Sequence, residues 1–132
     1  MLKYFLILLF FIQIVFKVNA EVIKKIEIAG NSKISMETMK VFGNFDIGDN
    51  ISNSQMNNLI KDLYETNFFE KVEVSIDNGI LLINVIENPI IQTVVINGIR
   101  SQNLVKAINE ILKLKEKSSY VEFLAKEDLN LI

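Results

Sequence analysis

The chain has 132 residues, with 14 Lys and Arg against 16 Asp and Glu, and contains neither histidine nor cysteine. The missing residue types exclude disulfide stapling, lipid attachment at a cysteine, thiol catalysis and every His- or Cys-based metal site. A mildly acidic chain without a dense basic patch also gives no reason to expect nucleic acid as a partner, because phosphate binding needs clustered Lys or Arg.

Residues 1–20 have the layout of a secretory signal peptide. Lys3 gives a positive start, residues 4–16 are apolar except for Gln13, and Val18, Asn19 and Ala20 place modest side chains before Glu21. The apolar run is shorter than the roughly 20 residues that cross a bilayer as a helix. Export with cleavage near Ala20 is expected, leaving a water-soluble remainder.

Residues 21–29 read as a half-buried strand, with Ile26 and Ile28 on one face and Lys25 and Glu27 on the other. Gly30 and Asn31 turn the chain, since both residue types tolerate the left-handed region. A short helix follows, capped by Ser35, with Ile34 and Met39 as a staple and Met36, Met39 and Phe42 on one face; Gly43 is expected to end it.

A polar loop with Phe45, Ile47 and Gly48 leads to Ile51. Ser52 and Gln55 then have capping-box spacing, and Ile51 with Met56 matches the accompanying staple. Met56, Leu59, Ile60, Leu63 and Tyr64 follow the stripe of a helix covering a core, and Asn67 stands where a left-handed cap belongs.

Val72, Val74 and Ile76 alternate with Lys71, Glu73 and Ser75, so this strand buries one face only. Asn78-Gly79 is a hairpin signal. The returning strand, residues 80–86, is nearly all apolar and fits the centre of a sheet, while the charged strand before it fits an edge.

The spacing Ile23, Ile26, Ile28, Gly30 returns at Ile91, Val94, Ile96, Gly98. Ser101 then precedes a helix with Leu104, Val105, Ile108, Ile111 and Leu112 at core spacing, residues 113–119 form a polar loop, and a second helix opens near Ala125. No closing hairpin follows within the chain. A piece of about 40 residues seldom folds by itself, so the expectation is a fragment of a longer protein.

Other constellations are weaker. Asp46 with Asp49, and Glu127 with Asp128, have neither calcium-loop spacing nor an acid-base partner, and are expected to be solvated loop and helix-start charges. Phe69 is expected to close the core between helix and sheet. With no nucleophile motif, a small secreted hydrolase is excluded as the main reading.

Together, I-x-x-I-x-I-x-G-N, a helix pair, L-Y-x-T-x-x-F-x-x-V-x-V, a hairpin and an E-N-P exit resemble a POTRA (polypeptide-transport-associated) domain. Gly30, Asn31, Gly48, Leu63, Tyr64, Thr66, Phe69, Val72, Val74, Gly79, Glu87 and Pro89 carry the match. Two such units in tandem behind a leader resemble the periplasmic region of BamA-like outer-membrane protein assembly factors. The chain departs from the pattern at Asn67, where the family has Gly, and in the second copy, which lacks a glycine between its helices; the family's β-barrel lies outside these residues.

The resemblance implies an α+β fold, a POTRA β-α-α-β-β unit with a three-stranded mixed sheet and two helices on one face, followed by an incomplete second copy. The expected division is residues 1–20 leader, 21–88 first unit and 89–132 partial second unit. It further implies a non-enzymatic, cofactor-free module at the periplasmic face of a Gram-negative outer membrane. Its expected partners are unfolded outer-membrane protein clients and accessory assembly lipoproteins. The implied binding site is the edge strand Lys71, Val72, Glu73, Val74, Ser75 and Ile76, by strand addition; Glu70, Lys71 and Glu73 could equally protect that edge. Two-partner secretion transporters and related translocation proteins carry similar units. Cell-division proteins do so behind an uncleaved membrane helix, which the short run at 4–16 disfavours.

Overall fold

The computed structural model describes residues 20–131, so the leader expected over residues 1–20 lies outside the described residues apart from Ala20. Strands β1 (Glu21–Val22) and β2 (Lys25–Ala29) precede helix α1 (Met36–Gly43), the short strand β3 (Asn50–Ile51) and helix α2 (Asn53–Glu65). The hairpin β4 (Phe69–Asp77) and β5 (Ile80–Glu87) follows, then helices α3 (Gln102–Ile111) and α4 (Glu122–Leu131).

The first expected strand is divided. Glu21 and Val22 pair antiparallel with Ile51 and Asn50 of β3, and only Lys25–Ala29 joins the main sheet. Strands this short leave too little alternation to be read from sequence.

The main sheet has the order β2-β5-β4, with β5 parallel to β2 and antiparallel to β4. Leu81, Ile83 and Val85 of β5 are buried on one face, beside Ile26 of β2 and Val72 of β4. The helices lie over that face and contribute Met39, Leu59 and Leu63, while Ile23, Phe45, Ile51 and Phe69 close the ends. Burying each such side chain stabilises the fold by about 1.5–3 kcal/mol relative to exposure.

The helix starts follow the sequence. Ser35 Oγ accepts from the Thr38 N–H at 3.1 Å. Ser52 and Gln55 form the full capping box: Ser52 N–H donates to Gln55 Oε1 at 2.9 Å, and Gln55 N–H to Ser52 Oγ at 3.3 Å. Helix α1 ends at Gly43, as expected. The left-handed residue is Asn44, with φ 50°. Gly43 is needed for space, because a Cβ there would lie 2.2 Å from Leu59 Cδ1.

Two glycine turns place the strands. Gly30 has φ 85°, and a Cβ on it would lie 1.9 Å from the Val85 carbonyl oxygen, so β2 can leave the sheet beside β5 only with glycine. In the hairpin, Asn78 has φ 52° and Gly79 φ 84°, the two positive values of a type I′ turn.

Residues 89–131 repeat part of this pattern. Gly98 has φ 85°, the value of Gly30, and Ser101 caps α3 as Ser35 caps α1. Ile90 bridges to Ser119 as Val22 pairs with Asn50. Around the bridge, Ile91 N–H donates to Ser118 O and Lys117 N–H to Ile91 O, just as Ile23 N–H donates to Asp49 O and Gly48 N–H to Ile23 O. Lys117, with φ 64°, therefore occupies the position of the glycine that the second copy lacks. The last helix accordingly opens at Glu122, not near Ala125.

The expected strand at residues 91–98 forms no ladder. In the first unit β2 is held by β5, and nothing in residues 89–131 supplies its counterpart. The space around Gly98 shows the same thing, since a Cβ there would meet nothing within 4 Å. Of the stripe expected on α3, Ile108 and Leu112 are buried, whereas Leu104 and Ile111 are about half exposed.

The contact at Gly30 predicts a sharp contrast between two substitutions. Gly30→Ala combines left-handed strain with a backbone clash and is expected to cost more than about 3 kcal/mol; Gly48→Ala, strained but in open space, should cost about 1–2 kcal/mol. Urea unfolding of both variants measures the difference.

Candidate functional site

The hairpin geometry decides which backbone groups of β4 are free. Across the two-residue turn Asp77 pairs with Ile80, the hydrogen-bonded pair next to the turn, and such pairs alternate along an antiparallel ladder. Ser75 and Glu73 therefore face β5, while Ile76, Val74 and Val72 turn their N–H and C=O groups away from it. Two observations agree. The Val85 carbonyl opposite Val72 points to Gly30 on the other side of β5. The Val72 N–H donates to the Tyr64 hydroxyl, 3.0 Å away, and not to β5.

Lys71, Val72, Glu73, Val74, Ser75 and Ile76 thus lie together on a sheet edge, with Val72 buried and Val74 and Ile76 half-buried against the core. Their charged neighbours face water. Lys71 Nζ pairs with Glu73 Oε1 at 2.6 Å, and that hydrogen bond holds the Lys71 amine above its usual value. A register irregularity between Phe69 and Lys71 bulges the strand at Glu70. With nine residues against five, β4 is a longer edge than β2.

The segment before β4 fixes where this edge starts. Thr66 Oγ1 donates to the Leu63 carbonyl at 2.6 Å and accepts from the Phe68 N–H at 3.1 Å, and Asn67 turns the chain with φ 59°. Phe69 is buried, as expected. Phe68 is half-buried and meets Phe42 and Phe69 edge to face, at 5.8 and 6.3 Å between centroids, so the pair is a packing element. Tyr64 departs from its expected core position: it is 40% exposed and reaches the strand edge. Its place at the end of the α2 stripe, and its hydroxyl, were the available signals.

The E-N-P exit ties three segments together. The Glu87 carboxylate accepts N–H groups from Ser32, Lys33 and Ile34 at 2.8–3.1 Å. Burial raises its pKa, but these backbone donors outweigh that and hold it below the usual value. The Asn88 side chain donates to the Asn67 carbonyl and its N–H to Phe68 O, while Pro89 O accepts from the Tyr120 N–H. Beside this junction lies a groove of about 440 Å³ lined by Tyr64, Phe69, Glu70, Pro89, Tyr120 and Phe123, among others.

The carboxylate clusters are structural. Asp49 Oδ2 accepts from the Asp46 N–H, and Asp46 pairs with Lys40 at 2.7 Å. Asp128 is not a solvated helix-start charge: α4 begins six residues before it, and its buried carboxylate accepts from the Lys113 and Leu114 N–H groups. No group of acidic side chains suited to a metal ion occurs among the described residues, nor is any helix there long and apolar enough to cross a membrane.

No known family profile matches the sequence. The chain is 29% identical over 101 residues to the outer membrane protein assembly factor BamA of Neorickettsia risticii (strain Illinois), covering 76% of this chain. It is 33% identical over 91 residues to that of Buchnera aphidicola subsp. Acyrthosiphon pisum (strain APS), covering 69% of this chain. It spans only 14% and 15% of the length of these curated relatives. Among solved structures, POTRA1-2 of the periplasmic domain of Omp85 from Anabaena superposes with a TM-score of 0.54 at 12% identity, covering 87% of this chain and 78% of that one. The N-terminal domain of Omp85 from Thermosynechococcus elongatus gives 0.59 at 13% identity, covering 86% and 49%. At such identities the shared property is the fold, an α+β unit with a mixed sheet.

The tie at Glu87 has a pH signature. Because the folded-state pKa is lowered, its contribution is fully present above the unfolded value of about 4.3 and is lost as pH falls through the folded value. Glu87→Gln should therefore lower the urea midpoint at pH 7 and flatten its decline between about pH 5 and 3. An unchanged pH profile would contradict the assignment.

Proposed function

We propose that this chain, a POTRA region of a BamA-like protein, is a non-enzymatic polypeptide-binding module at the periplasmic face of the outer membrane. It takes up extended segments of unfolded outer-membrane protein clients, or of accessory assembly lipoproteins, along the outer edge of β4. Residues 21–88 form the binding unit, residues 89–132 the opening of a second, and residues 1–20 direct export. Attachment to the membrane is through the barrel of the longer protein.

The observation that carries this reading is the free edge itself. Val74 and Ile76 turn backbone donors and acceptors outward, on a strand whose side chains are already committed to the core or to water. An added strand would bond mainly to the main chain, which gives affinity with little dependence on sequence. That suits a partner set of many different clients. The acidic rim, Glu70, Glu73 and Asp77 against Lys71, favours segments with basic flanks and disfavours pairing between two copies of this edge.

Proline distinguishes the two sides of the strand. Val74→Pro removes only an outward donor, and proline is tolerated on an edge strand in that orientation, so the fold should survive with a loss of about 1–3 kcal/mol. Ser75→Pro removes a ladder bond to β5 and should cost more. In a titration of the folded chain with an alternating Val/Thr peptide carrying lysine at each end, Val74→Pro should abolish binding. Undiminished binding by folded Val74→Pro would exclude the β4 edge as the site.

A further inference from the structure

The β4 edge is not uniformly open. Val72, Val74 and Ile76 all face outward, but the Val72 N–H is already taken by the Tyr64 hydroxyl at 3.0 Å. The ring that delivers this hydroxyl rises from the last turn of α2, past the rim of the sheet. It is 40% exposed and flanks the junction groove with Phe69, Glu70, Tyr120 and Phe123. A strand running along β4 toward Phe69 therefore meets a filled donor at Val72 and an aromatic ring across its path. On the same stretch the bulge at Glu70 ends the regular register.

We infer that Tyr64 sets the length and register of the strand-binding edge: it closes the edge at Val72, so that an added strand pairs at Val74 and Ile76 and stops there. This rests on the strand addition proposed above and names the residue that limits it. The device restricts clients to a short contact. A site of two outward-facing residues holds a segment weakly and by few main-chain bonds, which permits release, whereas an edge open to Phe69 would hold it longer.

Tyr64→Phe tests this with little disturbance, because it keeps the ring and removes only the bond that anchors it across the edge. The probe is a series of alternating Val/Thr peptides of about four to eight residues with lysine ends, titrated against the folded chain. Alongside it, amide exchange of Val72, Val74 and Ile76 is followed by NMR in the free protein.

In the wild type the Val72 amide should be protected while those of Val74 and Ile76 exchange freely, and affinity should stop rising once a peptide spans the two open positions. In Tyr64→Phe the Val72 protection should be lost. Affinity should continue to rise with length, reaching roughly three- to tenfold above wild type for the longest peptides. A wild-type affinity that climbs over the whole series and is matched by Tyr64→Phe would overturn the role of Tyr64 and leave strand addition standing. Binding of no peptide by either protein would remove both.

Discussion

Every ladder of the main sheet runs through β5. Ile80–Glu87 is hydrogen-bonded on one side to a strand that precedes both helices and on the other to its own hairpin partner. Its inner residues, Leu81, Ile83 and Val85, are the floor on which the helices rest. Gly30 lets β2 turn away within reach of the Val85 carbonyl, and Glu87 at the end of β5 collects the N–H groups of the loop that follows this turn. With β5 satisfied on both sides, unpaired donors and acceptors are left at the margins of the sheet, and β4 offers the longer margin. The candidate site follows from the strand order.

The second half of the chain separates local from long-range causes. Its turn at Gly98, the cap at Ser101, the left-handed Lys117 and the bridge from Ile90 to Ser119 all form as in the first unit. Each of these is built from contacts within a loop or between two loops. The extended segment at 91–98 has the same apolar spacing as β2 yet joins no ladder, because a strand is stabilised by its neighbour and not by its own sequence. The same rule leaves the outer backbone groups of β4 without a neighbouring strand among the described residues.

Much of this was legible in the residues. The capping box at Ser52, the left-handed Asn67, the Asn78-Gly79 turn and the contrast between apolar β5 and charged β4 are local signals or simple alternations, and the structure bears each out. The β1–β3 pair was not legible because two-residue strands carry no period. The left-handed conformations of Asn44 and Lys117 carry no glycine signal in the sequence, since asparagine and even lysine accept such a position when surrounding hydrogen bonds demand it. Asp128 differs from expectation because α4 starts at Glu122 and the carboxylate is taken up by the Lys113 and Leu114 N–H groups of the preceding loop. Tyr64 differs for another reason. Periodicity assigns a face, but whether a side chain at the end of a stripe is covered depends on elements distant in sequence.

The edge of β4 is where fold and function meet in this account, and photo-crosslinking in cells that make the protein examines it most directly. A photoreactive side chain placed at Ser75, beside the open positions Val74 and Ile76, should trap outer-membrane protein clients or assembly lipoproteins in transit. The same group at Asn57, on the exposed face of α2, should trap far less. Equal capture from both positions, or none from Ser75, would contradict the claim that extended chains are taken up along β4.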